Sequence, residues 1–246
     1  MKLLFDVGNT HTTIALTDNG KKFNIKRIST YSLQTEDELY VYLKMLFSEN
    51  YDQIIVSSVV PNINHIFEFF SKKYIGKDAV FLNAKLYKNI KWDVRVPSDI
   101  GADRVANVIA AEKDYGNNAI IVDFGTAITI DVLKNGIYEG GVIIPGFGMM
   151  INALFKGTAK LPKVELKPSD VFIGKDTESN IRIGVINTVL EGIIKVVEKI
   201  KSETEITSVI FTGGQSKIIM DYKKDVIYDL ELGLRGIYYF YESAIS

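Results

Sequence analysis

The chain of 246 residues contains no cysteine, which excludes disulfides, thiolate nucleophiles and cysteine-based zinc sites together. Histidine is scarce too. His11 and His65 are the only two, too few for a histidine metal cluster. Charge of either sign is not in excess: the formal net charge of −1 leaves no global field to draw in nucleic acid or an anionic membrane. A charged ligand must therefore be caught locally. No apolar run reaches the roughly 18 residues of a membrane span, and Asp6 interrupts the apolar start before a signal-peptide core can form. What remains is a cytoplasmic enzyme or binding protein, with no nucleic-acid or membrane partner expected.

An apolar fraction of 47% and a charged fraction of 24% describe an ordinary globular composition, and the length allows one large or two modest domains. The stretch that organises the rest is residues 2–10, KLLFDVGNT. An apolar run stops at Asp6, and Gly8, Asn9 and Thr10 follow at once. This reads as a buried strand delivering a carboxylate into a tight turn of small residues. Such a turn suits a polyphosphate and its Mg2+, and taken alone it equally fits plain turn chemistry.

The chain then says nearly the same thing again. Residues 119–127 read AIIVDFGTA, so Asp-x-Gly recurs at Asp123 behind another apolar run. After each acid comes a second strand-like run and then Asn-Gly, at Asn19-Gly20 and Asn135-Gly136, the strongest short hairpin signal. Two matched units in one chain point to duplicated halves, residues 1–115 and 116–246.

Along the first half, residues 22–30 read as a third strand with Phe23, Ile25 and Arg27 alternating. Thr35 and Glu38 fit a capping box before a helix with Leu39, Leu43 and Leu46 on one face. Residues 53–60 form a buried strand, Ile63, Phe67 and Phe70 stripe a helix, residues 80–82 make a short strand, and 85–100 are irregular. A helix then starts at Asp103 or nearby. In the second half, strands at 128–133 and 137–144 precede a helix over 147–155 and a loop over 157–170. The longest helical pattern runs over 177–201, carried by Ile181, Val185, Val189, Ile193, Val196, Val197 and Ile200. A strand at 208–211 enters Thr212-Gly213-Gly214, followed by a helix over 217–222, a short strand at 226–228 and a tyrosine-rich helix over 232–243. Each half thus lists a three-strand meander and then alternating helices and strands, the pattern of two α/β layers with a nucleotide cleft between them. The Tyr238, Tyr239 and Tyr241 cluster reads as a core or subunit contact.

The DVGNT, GADR, DFGTA, GTAKLP, GKDT and TGGQS blocks together resemble type III pantothenate kinase, of the acetate and sugar kinase, heat-shock chaperone and actin superfamily. The resemblance implies two duplicated ribonuclease-H-like, actin-like domains and an activity in which ATP phosphorylates the 4′-hydroxyl of pantothenate, the first step toward coenzyme A. It implies a phosphate-binding turn formed by Asp6, Val7, Gly8, Asn9, Thr10, His11, Thr12 and Thr13, with Asp6 toward Mg2+. Asp123 would be a ligand of the monovalent cation, K+ or NH4+, and Thr126 would touch ATP. Gly101, Ala102, Asp103 and Arg104 would bind pantothenate, with Asp103 as general base, and Thr177 would add a further substrate contact. A homodimer is expected. The chain departs from some members, which have a substrate-contacting tyrosine where Val94 stands here.

Residue by residue, other accounts stay open. Asp103 and Arg104 alone also describe a helix N-terminal acid and a surface charge, and a Gly-Gly pair after a strand is often only a turn. The competing functions are another small-molecule kinase of the superfamily and a non-enzymatic nucleotide-binding regulator.

Overall fold

Side chains alternate along extended backbone, so Leu3, Phe5 and Val7 point one way from the first strand, β1 (Lys2–Val7), and Lys2, Leu4 and Asp6 the other. The computed structural model describes residues 1–220 and 224–245. After β1 come β2 (His11–Thr17), β3 (Asn24–Ser29), α1 (Glu36–Leu46), β4 (Gln53–Ser58), α2 (Asn64–Phe70), β5 (Val80–Phe81), β6 (Lys91–Trp92) and α3 (Ala102–Tyr115). The chain continues with β7 (Ala119–Phe124), β8 (Ala127–Lys134), β9 (Ile137–Pro145), α4 (Phe147–Gly157), α5 (Thr177–Arg182), α6 (Thr188–Thr204), β10 (Val209–Thr212), β11 (Ile227–Tyr228) and α7 (Leu232–Ile245). Among the described residues no helix is long and apolar enough to cross a membrane.

Two compact units result. One comprises Met1–Gly116, Gly136–Tyr138 and Glu231–Ser246, the other Asn117–Asn135 and Glu139–Leu230. The first unit's opening segment ends at Gly116, and α7, at the far end of the chain, packs in that same unit. The duplication is plain in the sheets. The first has the order β3-β2-β1-β4-β5, and the strands β9-β8-β7-β10-β11 repeat that order in the second. In each, the acid-bearing strand (β1, β7) pairs antiparallel with the next strand and parallel with a later one.

In the first unit, Leu3, Phe5, Val7, Ile14, Leu16, Ile54 and Val56 form one sheet face, against Leu39 and Leu43 of α1 and Ile66, Phe67 and Phe70 of α2. Each such side chain contributes about 1.5–3 kcal/mol on burial. The capping box of α1 forms as expected: Thr35 accepts the Glu38 N–H while the Glu38 side chain accepts the Thr35 N–H. The third strand differs from its expected pattern. Ile25 is 39% exposed, and Ile28, on the alternate parity, packs against the core. As the edge strand, β3 needs to bury only one face.

The opposite sheet face receives α3 and α7. These helices approach closely because Gly236 has no side chain: a β-carbon there would lie 2.5 Å from the Ala106 carbonyl carbon. Arg235 closes the pair through Asp114 at 2.6 Å, and the Tyr239 hydroxyl donates to the same carboxylate at 2.7 Å. Tyr241 lies under Lys2, and Tyr238 covers Gly20, where a β-carbon would come within 2.7 Å of its ring. The tyrosine cluster therefore makes contacts inside the first unit.

The two Asn-Gly pairs behave differently. Asn135 and Gly136 both have positive φ, 52° and 73°, as a two-residue type I′ turn requires. At Asn19-Gly20 only the glycine does, with φ 68°. There a longer loop closes through Thr17, whose hydroxyl accepts the Gly20 N–H and donates to the Lys22 carbonyl. Within residues 85–100, expected to be irregular, β6 pairs with Ile137 and Tyr138, and the Trp92 indole N–H donates to the Tyr87 carbonyl.

The second unit buries Ile120, Val122, Phe124, Ile128, Ile130 and Phe211 against Ile181, Ile186, Leu190, Ile193 and Val197. The long helix expected over 177–201 is interrupted by a π-turn, Ile183–Asn187. Ile181, Val185, Val189 and Ile193 recur every four residues, wider than the 3.6-residue α repeat, and a wider turn resets the register. Leu190 is fully buried as a result, and Val189 only partly. The buried Asn187 uses that turn to accept the Ser169 N–H and donate to the Ser169 carbonyl, fixing the preceding loop. The helix expected over 217–222 is a 3-10 turn, Ser216–Ile219; Asp221 and Tyr222 lie outside the described residues.

Candidate active site

In the first unit Asp6 sits near the carboxyl end of β1, opposite Thr13 of β2 and Ser57 of β4. Thr13 in turn pairs with Arg27 of β3. Directly paired residues share a sheet face, so Arg27, Thr13, Asp6 and Ser57 form one polar row. The turn that follows exposes Asn9, Thr10 and His11, and its Gly8 N–H donates to the His11 carbonyl at 3.1 Å. Thr30 braces it from beneath: its hydroxyl donates to the Gly8 carbonyl at 2.7 Å, and its N–H donates to the Thr10 carbonyl at 3.1 Å. Thr12 is 0% exposed, with its hydroxyl 3.0 Å from that of Thr30. Val7 is buried as well, its carbonyl accepting the Val59 N–H.

Val59 carries the connection onward. It follows β4 directly, and a β-carbon on Gly101 would meet its Cγ1 at 3.5 Å and the Asp103 Oδ1 at 2.6 Å. The amino end of α3 thus abuts the carboxyl ends of β1 and β4, where ligands bind in parallel-stranded sheets. Glycine at 101 leaves the Asp103 carboxylate room, and Oδ1 accepts the Arg104 N–H at 2.7 Å. Asp103 and Arg104 are half-buried and Ala102 is buried. The Asp6 turn and residues 101–104 are therefore brought together. Val94 is half-buried in the segment before them.

The second unit repeats the arrangement around Asp123, which lies between Thr129 of β8 and Thr212 of β10. Gly213, at φ +87°, passes so close that a β-carbon would stand 2.7 Å from the Phe124 N and O and closer still to the Asp123 carboxylate. The Gln215 N–H donates to the Phe124 carbonyl at 3.0 Å. From the other side the Gly146 N–H donates to the Thr126 carbonyl at 3.1 Å, which brings the start of α4 onto the turn that presents the exposed Thr126. Thr177 opens α5 as an exposed residue beside the Asp176 cap.

Both acid turns offer oxygen donors. Among the described residues no three His, Asp or Glu side chains gather as a metal site. Asp6 with the hydroxyls of Thr13 and Ser57 fits Mg2+, which keeps waters and shares its sites with phosphate. The Ser57 Oγ is buried with no hydrogen-bond partner. Asp123, with Thr129 and Thr212 paired on either side of it, fits a weakly hydrated cation. His11 titrates below its ordinary value of 6.5, because partial burial and then the Arg27 charge disfavour the imidazolium.

Thr30, Ser57, Gly146 and Gln215 were not legible as site residues in the sequence. Only the Gln215 position carries a local signal, in the TGGQS block.

A duplicated sheet with an acid turn at the carboxyl end of each central strand defines the actin-like class of nucleotide-dependent phosphotransferases. Solved structures agree in fold. A ROK family glucokinase from Streptomyces griseus, in complex with glucose and AMPPNP, matches over 96% of this chain and 97% of its own, with TM-score 0.51 at 12% identity. The ethanolamine utilization protein EutJ from Carboxydothermus hydrogenoformans matches over 97% and 89%, with TM-score 0.57 at 16% identity. A family model for type III pantothenate kinase covers residues 2–199. A type III pantothenate kinase from Thermosipho melanesiensis is 78% identical over 247 positions, spanning 100% of both chains. The chain belongs to the type III pantothenate kinase family.

Proposed function

We propose that the protein transfers the γ-phosphoryl group of ATP to the 4′-hydroxyl of pantothenate, giving 4′-phosphopantothenate and ADP at the entry to coenzyme A synthesis. Beyond family membership, one juxtaposition carries the reading. The Asp6 turn and the start of α3 share the carboxyl ends of β1 and β4, linked through Val59. A phosphate site beside a carboxylate and a guanidinium is what transfer to an acidic alcohol needs.

Asp103 takes the proton of the 4′-hydroxyl as that oxygen bonds to the γ-phosphorus and the bond to the ADP oxygen breaks. Arg104 holds the pantothenate carboxylate through two parallel N–H donors, and Gly101 and Ala102 admit the substrate to the backbone. The Gly8 N–H is spent inside its own turn, so Asn9, Thr10 and His11 supply the phosphate contacts, while Thr12 serves as a brace. Asp6, with Thr13 beside it, holds Mg2+, which supplies neutralisation of phosphate charge. Asp123 holds K+ or NH4+, Thr126 touches the nucleotide, and Thr177 adds a substrate contact. The exposed run Val171, Phe172 and Ile173 supports contact between two copies in a cytoplasmic homodimer.

The test is pantothenate-dependent ADP release with ATP, Mg2+ and K+. Asp103→Asn lowers turnover by about 10²-fold or more while ATP binding persists. Turnover matching the unaltered protein removes Asp103 from the mechanism. ADP release that requires a sugar or acetate instead assigns a different kinase, and nucleotide binding with no phosphorylated product assigns a regulator.

A further inference from the structure

Two neighbouring serines at the end of β4 are used differently. The Ser58 hydroxyl accepts the Val60 N–H at 3.1 Å, so it is satisfied within its own turn. Ser57 is 1% exposed, and its Oγ is buried without any hydrogen-bond partner. A buried hydroxyl left unpaired costs about 1–3 kcal/mol, and an alanine of the same shape would avoid that cost. An orphan of this kind has an acceptor open to a water or an ion's hydration shell.

Its place in the sheet says which ligand. Ser57 is the direct neighbour of Asp6 across the parallel β1–β4 pair, so the two side chains leave the same face from strands about 4.8 Å apart. A Mg2+ ion bonds carboxylate oxygen at about 2.1 Å and retains several waters at the same distance. A water in that shell reaches a hydroxyl at about 2.8 Å, which spans the gap between neighbouring strands.

We propose that Ser57 is a positioning residue for the metal beside Asp6: its hydroxyl accepts a hydrogen bond from a Mg2+-bound water and so orients the hydrated ion toward the triphosphate. The inference rests on the reading of Asp6 as the Mg2+-side carboxylate. Removing such an outer-shell partner costs about 10-fold or more in metal affinity.

The experiment measures two quantities on Ser57→Ala. One is the thermal midpoint of the free protein, and the other is the Mg2+ concentration that half-saturates binding of AMPPNP, with Asp6→Asn measured in parallel. The expected result has opposite signs: the midpoint stays level or rises because an unsatisfied group is gone, and the Mg2+ requirement rises about 10-fold. A lower midpoint with an unchanged Mg2+ requirement shows that the hydroxyl serves the fold and overturns the proposal. If Asp6→Asn raises the Mg2+ requirement and Ser57→Ala does not, the proposal fails and the reading of Asp6 stands. If Asp6→Asn itself leaves the requirement unchanged, that reading fails and takes the proposal with it.

Discussion

Replacing Gly213 by alanine tests the second acid turn where it is tightest. At φ +87° the backbone is in a region that L side chains rarely adopt, and the new β-carbon would sit 2.7 Å from both the N and O of Phe124. Neither atom is the end of a flexible side chain. Phe124 is 0% exposed and anchors its strand in the core, so the strain cannot drain into solvent. Positive φ in a non-glycine residue costs about 1–2 kcal/mol, and overpacking a rigid site adds about 1–3 kcal/mol. The sum, about 2–5 kcal/mol, is a large share of a typical stability of about 5–15 kcal/mol. For a chain of this size each kcal/mol shifts the melting point by about 2–4 °C, so a fall of about 4–20 °C is expected. The assay is thermal unfolding followed by circular dichroism, with Gly192→Ala as the control. Gly192 lies within α6 with nothing within 4 Å of its would-be β-carbon, so alanine there adds up to about 1 kcal/mol of helix propensity. A Gly213→Ala melting point within 2 °C of the unaltered protein, with the control behaving as stated, would falsify the steric argument.

Thr30→Val removes the hydroxyl that donates to the Gly8 carbonyl and faces Thr12, stranding a buried partner. We expect about 1–3 kcal/mol of destabilisation and a raised KM for ATP, and an unchanged KM would mean that the turn needs no brace. Asp123→Ala should abolish activation by K+ while the Mg2+ requirement persists; activation that survives moves the cation elsewhere. His11, lowered by burial and by Arg27, is neutral at pH 7. Below 6.5 the unfolded chain binds its proton more readily than the folded one, so this residue contributes a loss of stability as pH falls from 6.5 through its folded pKa, and nothing above 6.5. NMR titration should show the depressed value, and Arg27→Gln should move it partway back; no movement would exclude Arg27 as a cause.

The residues themselves determined the elements that depend on short-range chemistry. An apolar run ending in Asp-x-Gly specifies strand and turn within nine positions, which is why both acid turns and the duplication they mark were legible. The α1 capping box was likewise decided by neighbours a few residues apart, and α3, expected from Asp103 or nearby, begins at Ala102. Where the local signal was incomplete, the outcome depended on a distant partner. Asn19-Gly20 sits in a longer loop on which the Tyr238 ring lies, and the long helix took a π-turn to keep its apolar side against the sheet. Ser57 beside Asp6, Thr30 beneath Gly8 and Gly213 against Phe124 were settled only by strand register and loop packing. Those pairings join segments tens of residues apart, and no periodicity within either segment encodes which residue of the other will stand opposite.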